Sequence, residues 1–565
     1  MKNQTLKGLA AVIMVGSLTT SCDLLKDLKY TVTPNPLEMH GDSVRVKVDV
    51  TFPEKGINKK AIAQITPMVG THAMKTITVQ GEKAEGNGQV VEFKPGGQVT
   101  YTDIIAYSPD MEVSELKITG TVSKGKKSEA IDETKIADAT IITPLLLQND
   151  DKVLVGADQF KRVTEEVYAA QINYDKARSE VKASELKQED IKGMTTFLKD
   201  AQTNPKIAIK SISILAYASP EGEETKNNEL STARSESGKK ASIGIAKNVK
   251  NDTAQVDAMY SLQAKGEDWT GFKTELEKSA MNEDEKALVL RVLSMYNDPA
   301  QREQEMKNMS KTFTYLEKNV LPQLRRSQIN IIYDLTGKSD EELTALAKSN
   351  PDSLRVEELL FAATLTNDLN EKLRIYSETE RIYPQDWRGY NNVGYVLYLQ
   401  GKTAEAKAKF EKANSMTENP QSTNNLGVIA RTNGDRATAK KLFTKAMSAG
   451  AEVKYNMGLI NIQDGKYEDA IANMGDFKTF NKALAQDLAL NYDGALATLD
   501  ASDAKDEAAS YYLRAVVSAR QDKLDGIVSN LKSAIAKDAS WKEKAAKDRE
   551  FIKYFDNAAF TAIVK

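Results

Sequence analysis

The pattern of apolar and polar positions changes character along the chain. Over residues 30–143 it has a period of two. Val44-Arg45-Val46-Lys47-Val48-Asp49-Val50 alternates strictly, as a strand with one buried face requires. Similar runs stand at 76–79, 90–93, 101–107 and 116–122, separated by turn formers such as Gly86-Asn87-Gly88, Pro95-Gly96-Gly97 and Ser108-Pro109-Asp110. Short strands broken by frequent turns predict an all-β sandwich over 22–150. Over 151–338 strand-like and helix-like runs mix, which predicts an α/β domain. Beyond it the chain is helical and alanine-rich. Gly337-Lys338-Ser339-Asp340 joins a helix stop to an N-cap, so a domain border is expected there.

The C-terminal region, 339–565, repeats itself. Gly394, Gly427 and Gly458 recur at spacings of 33 and 31 residues, and Gly401, Gly434 and Gly465 follow the same spacings. So do Ala406, Ala439 and Ala470, and Phe410 and Phe443 share the first offset. This resembles the tetratricopeptide repeat (TPR), whose helix pairs approach closely through small residues. The expected packing sets each Gly of a first helix against an Ala of the second. Weaker units are readable at Ala515, Leu531 and Ala534, at 483–499, and at 355–383. The resemblance implies an all-α solenoid with a concave groove for an unidentified protein partner.

The N-terminus carries Lys2 and Lys7, a short apolar run from Leu9 to Gly16, and Ser21 directly before Cys22, the chain's one cysteine. The run is too short to span a membrane. It resembles a bacterial lipoprotein signal over 1–21, with Thr19 where a leucine is usual. The resemblance implies lipidation at Cys22 and a lipid-bilayer anchor.

In the middle region an alternating strand, Ser211-Ile212-Ser213-Ile214-Leu215-Ala216-Tyr217-Ala218, runs into the turn Ser219-Pro220-Glu221-Gly222. Asn227, Leu230-Ser231 and Arg234 follow, with Ser231 expected to cap the next helix. These residues resemble the OmpA-like peptidoglycan-binding domain, with Gly222, Asn227, Leu230, Ser231 and Arg234 in register. Residues 172–177, Lys265-Gly266-Glu267-Asp268 and Arg325-Arg326 match further parts of that family's pattern. Residues 269–321, rich in Leu, Met, Glu and Lys, read as a helical hairpin inserted where the family has a short loop. The resemblance implies that the site binds the diaminopimelate stem peptide of peptidoglycan, with Arg234 on the carboxylate. The family's ammonium-binding aspartate falls at Ser219, and Glu221, Glu223 or Glu224 is expected to supply the charge instead.

Composition narrows the chemistry. Among 565 residues, 77 are basic and 80 acidic, giving a formal charge of −3, which argues against nucleic acid as a partner. With two histidines, His40 and His72, both read as surface or turn positions, a histidine triad or a zinc site lacks its parts. Gly401-Lys402-Thr403 looks like the end of a phosphate loop but sits at a repeat turn, with Val396 where the first glycine belongs. No catalytic residue, metal or cofactor is expected. The sequence therefore predicts a non-enzymatic lipoprotein on the periplasmic face of the outer membrane. It would tether the envelope to peptidoglycan through the OmpA-like domain and hold a partner on its TPR repeats. The alternative is an assembly or secretion-accessory lipoprotein whose middle domain does not bind the wall.

Overall fold

The alternation at Val44–Val50 takes shape as a ten-strand sandwich. In the computed structural model, which describes residues 24–565, the strands are β1 (Lys29–Thr33), β2 (Met39–His40), β3 (Ser43–Phe52), β4 (Ile62–Val69) and β5 (His72–Ala73). They continue as β6 (Ile77–Gly81), β7 (Gln89–Val91), β8 (Gly97–Ala106), β9 (Ser114–Lys124) and β10 (Lys127–Ala139). One sheet joins β1, β2 and β8 to β3; the other runs β10-β9-β4-β6-β7, with β5 on β4. Val44, Val46, Val48 and Val50 point inward against Ile65, Leu116, Ile118 and Val122, and burying these faces is what holds the sheets together. The expected anchor, Cys22, and the leader 1–21 lie outside the described residues.

The middle region forms β11 (Val163–Asn173), α1 (Glu189–Thr203), β12 (Ile207–Ala218), α2 (Glu224–Asn248), β13 (Tyr260–Glu267) and β14 (Arg326–Thr336). Its sheet runs β11-β14-β12-β13, antiparallel except for β12 with β13, which α2 connects as a crossover. Ile172, Ile212, Ile214, Ile329 and Ile331 of the sheet pack on Ile191, Met194 and Leu198 of α1 and Ile245 of α2. Helix α2 starts at Glu224, so Ser231 lies inside it and is not its cap; the hydroxyl donates back to Asn228 O (2.9 Å).

The insertion is not a hairpin. It folds as α3 (Trp269–Lys278), α4 (Glu283–Met295), α5 (Pro299–Asn308), α6 (Ser310–Asn319) and the single turn α7 (Leu321–Leu324) around its own core of Phe272, Leu276, Val289, Leu293, Met306 and Leu316. New N-caps break the long amphipathic run: Asn282 accepts from Glu285 N, and Asp298, ahead of Pro299, accepts from Gln301 N.

Ser339 is the N-cap expected at the start of α8 (Asp340–Ser349), and it forms a capping box with Glu342; α9 (Val356–Ala362) follows. The compact units divide elsewhere than at 150/151 and 338/339, however. Asp158–Leu365 is one unit; the residues up to Ala157 belong with Thr366–Lys565. Helices α8 and α9 stay with the middle sheet because Lys338 pairs with the buried Glu358, and Phe361 stacks on Phe160 just ahead of β11. The expected repeat at 355–383 is thereby cut in two.

The repeat region consists of α10 (Leu369–Ile382) and the pairs α11 (Trp387–Leu399) with α12 (Thr403–Met416), α13 (Pro420–Thr432) with α14 (Arg436–Lys445), and α15 (Ala451–Gln463) with α16 (Tyr467–Met474). Then come α17 (Phe480–Leu488) with α18 (Tyr492–Asp500), α19 (Ala508–Arg520) with α20 (Leu524–Lys537), and the closing α21 (Ser540–Lys547) and α22 (Ala558–Val564). Gly401, Gly434 and Gly465 turn each pair with φ of 77°, 84° and 70°. Ala406, Ala439 and Ala470 are fully buried, and a Cβ on Gly394 or Gly458 would stand 3.1 or 3.2 Å from the carbonyl oxygen of Ala406 or Ala470, so in these two pairs the glycine lies against the alanine as expected, and against a large side chain as well. A Cβ on Gly394 or Gly427 would stand 2.8 or 2.7 Å from the ring of Phe410 or Phe443, and one on Gly458 would stand 2.8 Å from Met474. The glycine makes room for a large side chain one turn beyond the alanine.

The sandwich packs on these repeats within the same unit. His40, read as a surface residue, sets its ring edge-on to Tyr467 at 5.0 Å and against Gly465. His72 stays at the surface, bonded to Asp110 (2.8 Å). Nearby, Arg520 is enclosed by three carboxylates: Glu38 (2.8 Å), Glu550 (2.5 Å) and Asp487 (3.7 Å). Both Asp487 oxygens lack a hydrogen-bond partner, and burial pushes its carboxyl up to about 7.

Candidate functional site

The first helices of four pairs, α11, α13, α15 and α17, carry an asparagine two residues before the packing position: Asn392 before Gly394, Asn425 before Gly427, Asn456 before Gly458, and Asn481 before Ala483. All four are buried. Their amides converge on an extended segment, residues 148–157, that leaves the sandwich and runs along the repeats in reverse order. Asn456 accepts from Lys152 N (2.7 Å) and donates to Lys152 O (2.9 Å). Asn425 does the same for Leu154 (2.7 and 2.7 Å) and Asn392 for Gly156 (2.7 and 2.9 Å). Asn481 grips Gln148 (2.8 and 2.9 Å). From Gly156 to Lys152 the strand-like segment advances by two residues for each helix pair, so alternate residues meet equivalent amides, whereas from Lys152 to Gln148 it advances by four.

Asn391 and Asn424 join the rungs. Each donates to a carbonyl of the segment and accepts from the asparagine of the next repeat: Asn425 to Asn391 (3.1 Å) and Asn456 to Asn424 (2.9 Å). The backbone contacts read no sequence, but three side-chain contacts do. Asp151 forms a nearly solvent-free ion pair with Arg431, which also donates to Asn149. Asp150 accepts from Tyr455 and Asn481. Gly156 admits no side chain, since a Cβ would stand 2.7 Å from Arg388 Cγ and 3.1 Å from the Trp387 ring. Val153 and Leu154 add apolar contact with the cluster around Val428 and Phe443. The groove expected for a partner protein is filled by the chain itself. Sequence reasoning missed these residues, although Asn-x-Gly at spacings of 33 and 31 was there to be seen.

In the Asp158–Leu365 unit, the expected site residues line a cavity of about 540 Å³ with Lys176, Leu230 and Ala233. The structure brings Ser219, Glu221, Asn227 and Arg234 together, but it assigns them other partners. Arg234 is fully buried, and its guanidinium donates to three carbonyls: Arg178 O (3.0 Å), Tyr217 O (2.9 Å) and Asp175 O (3.2 Å). Burial lowers it to about 10, so it remains a cation at neutral pH. Glu221 is buried against Arg325 (2.6 Å), which also donates to Ser219 Oγ (3.1 Å). One Glu221 oxygen, Oε2, is buried without a partner. Asn227 donates to Ser219 O, Gly222 O and Glu267 (3.3, 3.1 and 2.9 Å), pinning the turn to the end of β13. Arg325 belongs to the Arg325-Arg326 motif in the sequence, and nothing in that motif points to Glu221 as its partner. Glu223 and Glu224 take no part in that pair; Glu223 pairs with Lys226 at the surface.

Among the described residues no cluster of His, Cys, Asp and Glu could hold a metal ion, and no helix is long and apolar enough to cross a membrane. No protein-family model and no curated protein matches the chain. Solved structures similar to it include a tetratricopeptide repeat protein from Parabacteroides merdae (14% identity, TM-score 0.28, 40% of this chain and 89% of that one). PilF of Pseudomonas aeruginosa is another (15%, 0.30, 38% and 98%). A chain of the APC/C hetero-tetramer Cut9–Hcn1 is similar at 12% identity and TM-score 0.30, over 39% of this chain; less than half of that chain, 44%, is spanned. Over α11–α16 the helix pairs repeat the same packing, a glycine of the first helix against a large side chain of the second with a positive-φ glycine at the turn between them.

Proposed function

We propose that the chain is a non-enzymatic, lipid-anchored scaffold of the bacterial outer membrane. Its middle unit, read as an OmpA-like domain, takes the stem peptide of peptidoglycan, and its repeats organise protein segments. The observation that carries the wall-binding reading is the open 540 Å³ cleft lined by Arg234, Asn227 and Ser219, where a buried guanidinium with two N–H groups beyond its three carbonyl bonds can take a carboxylate. Anchoring rests on the sequence around Cys22, and Cys22→Ser is expected to release the protein from membranes in high salt.

The accessory reading, in which the middle unit does not bind the wall, is favoured by the Arg325–Glu221 pair. The carboxylate that would attract a diaminopimelate ammonium is already neutralised inside the fold. Co-sedimentation of the full-length protein with diaminopimelate-containing sacculi separates the two. Ala233→Trp fills the cleft from an exposed position and leaves the buried network untouched. Wall binding by the wild type that is lost in this variant supports the tether; no sedimentation of the wild type establishes the accessory reading.

A further inference from the structure

We propose that the end of the sandwich around Leu24 is a docking surface for anionic lipid headgroups, and that it seats the sandwich directly on a bilayer. Where the acyl chains sit rests on the anchored reading above; the charge of the surface does not.

The strand registers gather five segments at that end. Strand β1 starts at Lys29 opposite Thr51, β8 starts at Gly97 opposite Phe52, and β4 starts at Ile62 opposite Ser123, next to the tip of the β9–β10 hairpin. Strands β6 and β7 finish side by side at Gly81 and Val91. Residues 24–29, 53–61, 81–85, 92–96 and 124–127 therefore lie together. Backbone bonds join most of them: Asn58 N to Leu24 O (2.9 Å), Lys83 N to Lys59 O (2.7 Å) and Lys55 N to Phe93 O (2.6 Å).

These segments hold ten lysines and five carboxylates, a net +5 in a chain whose formal charge is −3. Glu54 is taken up by Lys55, and Glu82 by Lys59. Lys60, Lys83, Lys94, Lys124 and Lys126 are exposed, and among the described residues none of them has an ion-pair partner. The opposite end of the sandwich has the opposite sign. Residues 34–42, 70–76, 106–113 and 138–143 hold five carboxylates and one lysine. That end is closed by the repeats, with Asp42 on Arg436 (2.8 Å) and Glu38 on Arg520 (2.8 Å). The acidic end is covered and the basic end is not.

Chain length selects the occupant. Leu24 and Leu25 are 4% and 5% exposed, so the chain is held in the sandwich core from Leu24 on. Cys22 stands two residues earlier, a reach of at most about 7 Å at full extension. That is within the Debye length of about 8 Å at physiological salt, so an anchor at Cys22 brings the lysines under the field of the headgroup phosphates. An acyl anchor and a polybasic surface are the two signals that stable attachment takes. An acidic protein partner would gain nothing from this placement.

The test uses residues 23–565, which include every described residue and carry no acyl chain. Vesicles of equal parts phosphatidylcholine and phosphatidylglycerol should sediment the protein, vesicles of phosphatidylcholine alone should not, and high salt should release it. Lys124→Glu with Lys126→Glu, at two exposed side chains, should weaken binding roughly tenfold or more. Lys523→Glu with Lys532→Glu makes the same change of net charge on the repeats and should leave binding as it was. Equal loss in both variants, equal binding to both kinds of vesicle, or binding to neither overturns the inference. Binding to polyglutamate but not to anionic vesicles would make the partner an acidic protein and overturn it as well. The anchor is tested separately by Cys22→Ser in the full chain: release without vesicle binding strikes the surface alone, and vesicle binding without release strikes the anchor alone.

Discussion

Two buried guanidinium–carboxylate pairs invite comparison. Arg431 with Asp151 lies in the repeat groove, and Arg325 with Glu221 lies beside the cleft of the middle unit. Their chemistry is the same and both are shielded from water. They differ in what they join. Asp151 belongs to an extended segment outside any helix or sheet, held to the repeats by backbone hydrogen bonds to asparagines and a few side-chain contacts. Glu221 belongs to the turn between β12 and α2, which Asn227 pins through Ser219 O and Gly222 O, so the pair is held in place although the turn borders the cleft. The first pair is built like a ligand contact and the second like framework.

The comparison predicts its largest effect at Arg325. Arg325→Ala leaves Glu221 buried and unpaired, which should cost about 3–5 kcal/mol. The loss should fall on the Asp158–Leu365 unit alone, seen as early cleavage there in limited proteolysis across a urea series. Asp151→Ala, removing the same kind of pair, should instead open residues 148–157 to hydrogen exchange without lowering the midpoint of either unit. Equal melting in both variants would remove the distinction.

A third guanidinium sharpens it further, because Arg520 faces three carboxylates and cannot satisfy them all. Asp487 holds its proton up to about pH 7, while an exposed aspartate releases it near 3.8. The folded protein therefore binds a proton that the unfolded chain has given up. Stability from this group is greatest in acid and falls as the pH rises from about 4 through 7. The span is at most about 4 kcal/mol. Asp487→Asn should flatten the pH dependence of thermal unfolding between pH 5 and 8, with part-exposed Glu38 and buried Glu550 still paired to Arg520. An unchanged profile would mean that Asp487 is ionised in the fold.

The repeats respond to a different stress. Gly427→Leu drives a side chain into the Phe443 ring, an overpacking cost of about 1–3 kcal/mol. Because repeats contact chiefly their neighbours, the loss should spread along α11–α16 and expose the ladder, leaving the middle unit's proteolysis unchanged.

These outcomes depend on features that were unequally legible in the sequence. The strand alternation at Val44–Val50 and the glycine spacing were local and periodic, so the sandwich and the helix pairs could be read directly. The insertion's fold was misread because Asn282 and Asp298 are single caps within a long amphipathic run. The ladder was legible on one side only: Asn392, Asn425 and Asn456 repeat in register, but nothing in Gln148-Asn149-Asp150-Asp151-Lys152 says which surface it meets across more than two hundred residues of chain. The same holds for Glu221. Its charge was visible, and its neutralisation by Arg325 depends on a contact between residues 104 apart.

The smallest effects come from single rungs, and their gradient is the finest test of the ladder. Asn425 serves Leu154 with both atoms of its amide and is joined on either side by Asn391 and Asn424, so Asn425→Ala strands a peptide N–H and shifts its C=O onto Asn391 alone. Asn481 stands at the end of the groove, serves Gln148, and has no joining asparagine. A central rung should be worth about 2 kcal/mol and the end rung about 1 kcal/mol. Water can replace the lost partner more easily at the end, where Asn149 is exposed, than at Leu154. Hydrogen exchange at the amides of residues 148, 152, 154 and 156 reads each rung separately. Asn425→Ala should speed exchange at 152, 154 and 156 together, because the joined asparagines couple the rungs, while Asn481→Ala should speed residue 148 and leave 154 and 156 as they were. If each substitution affected its own residue only, the four rungs would be independent of one another, and the coupling carried by Asn391 and Asn424 would have no energetic meaning.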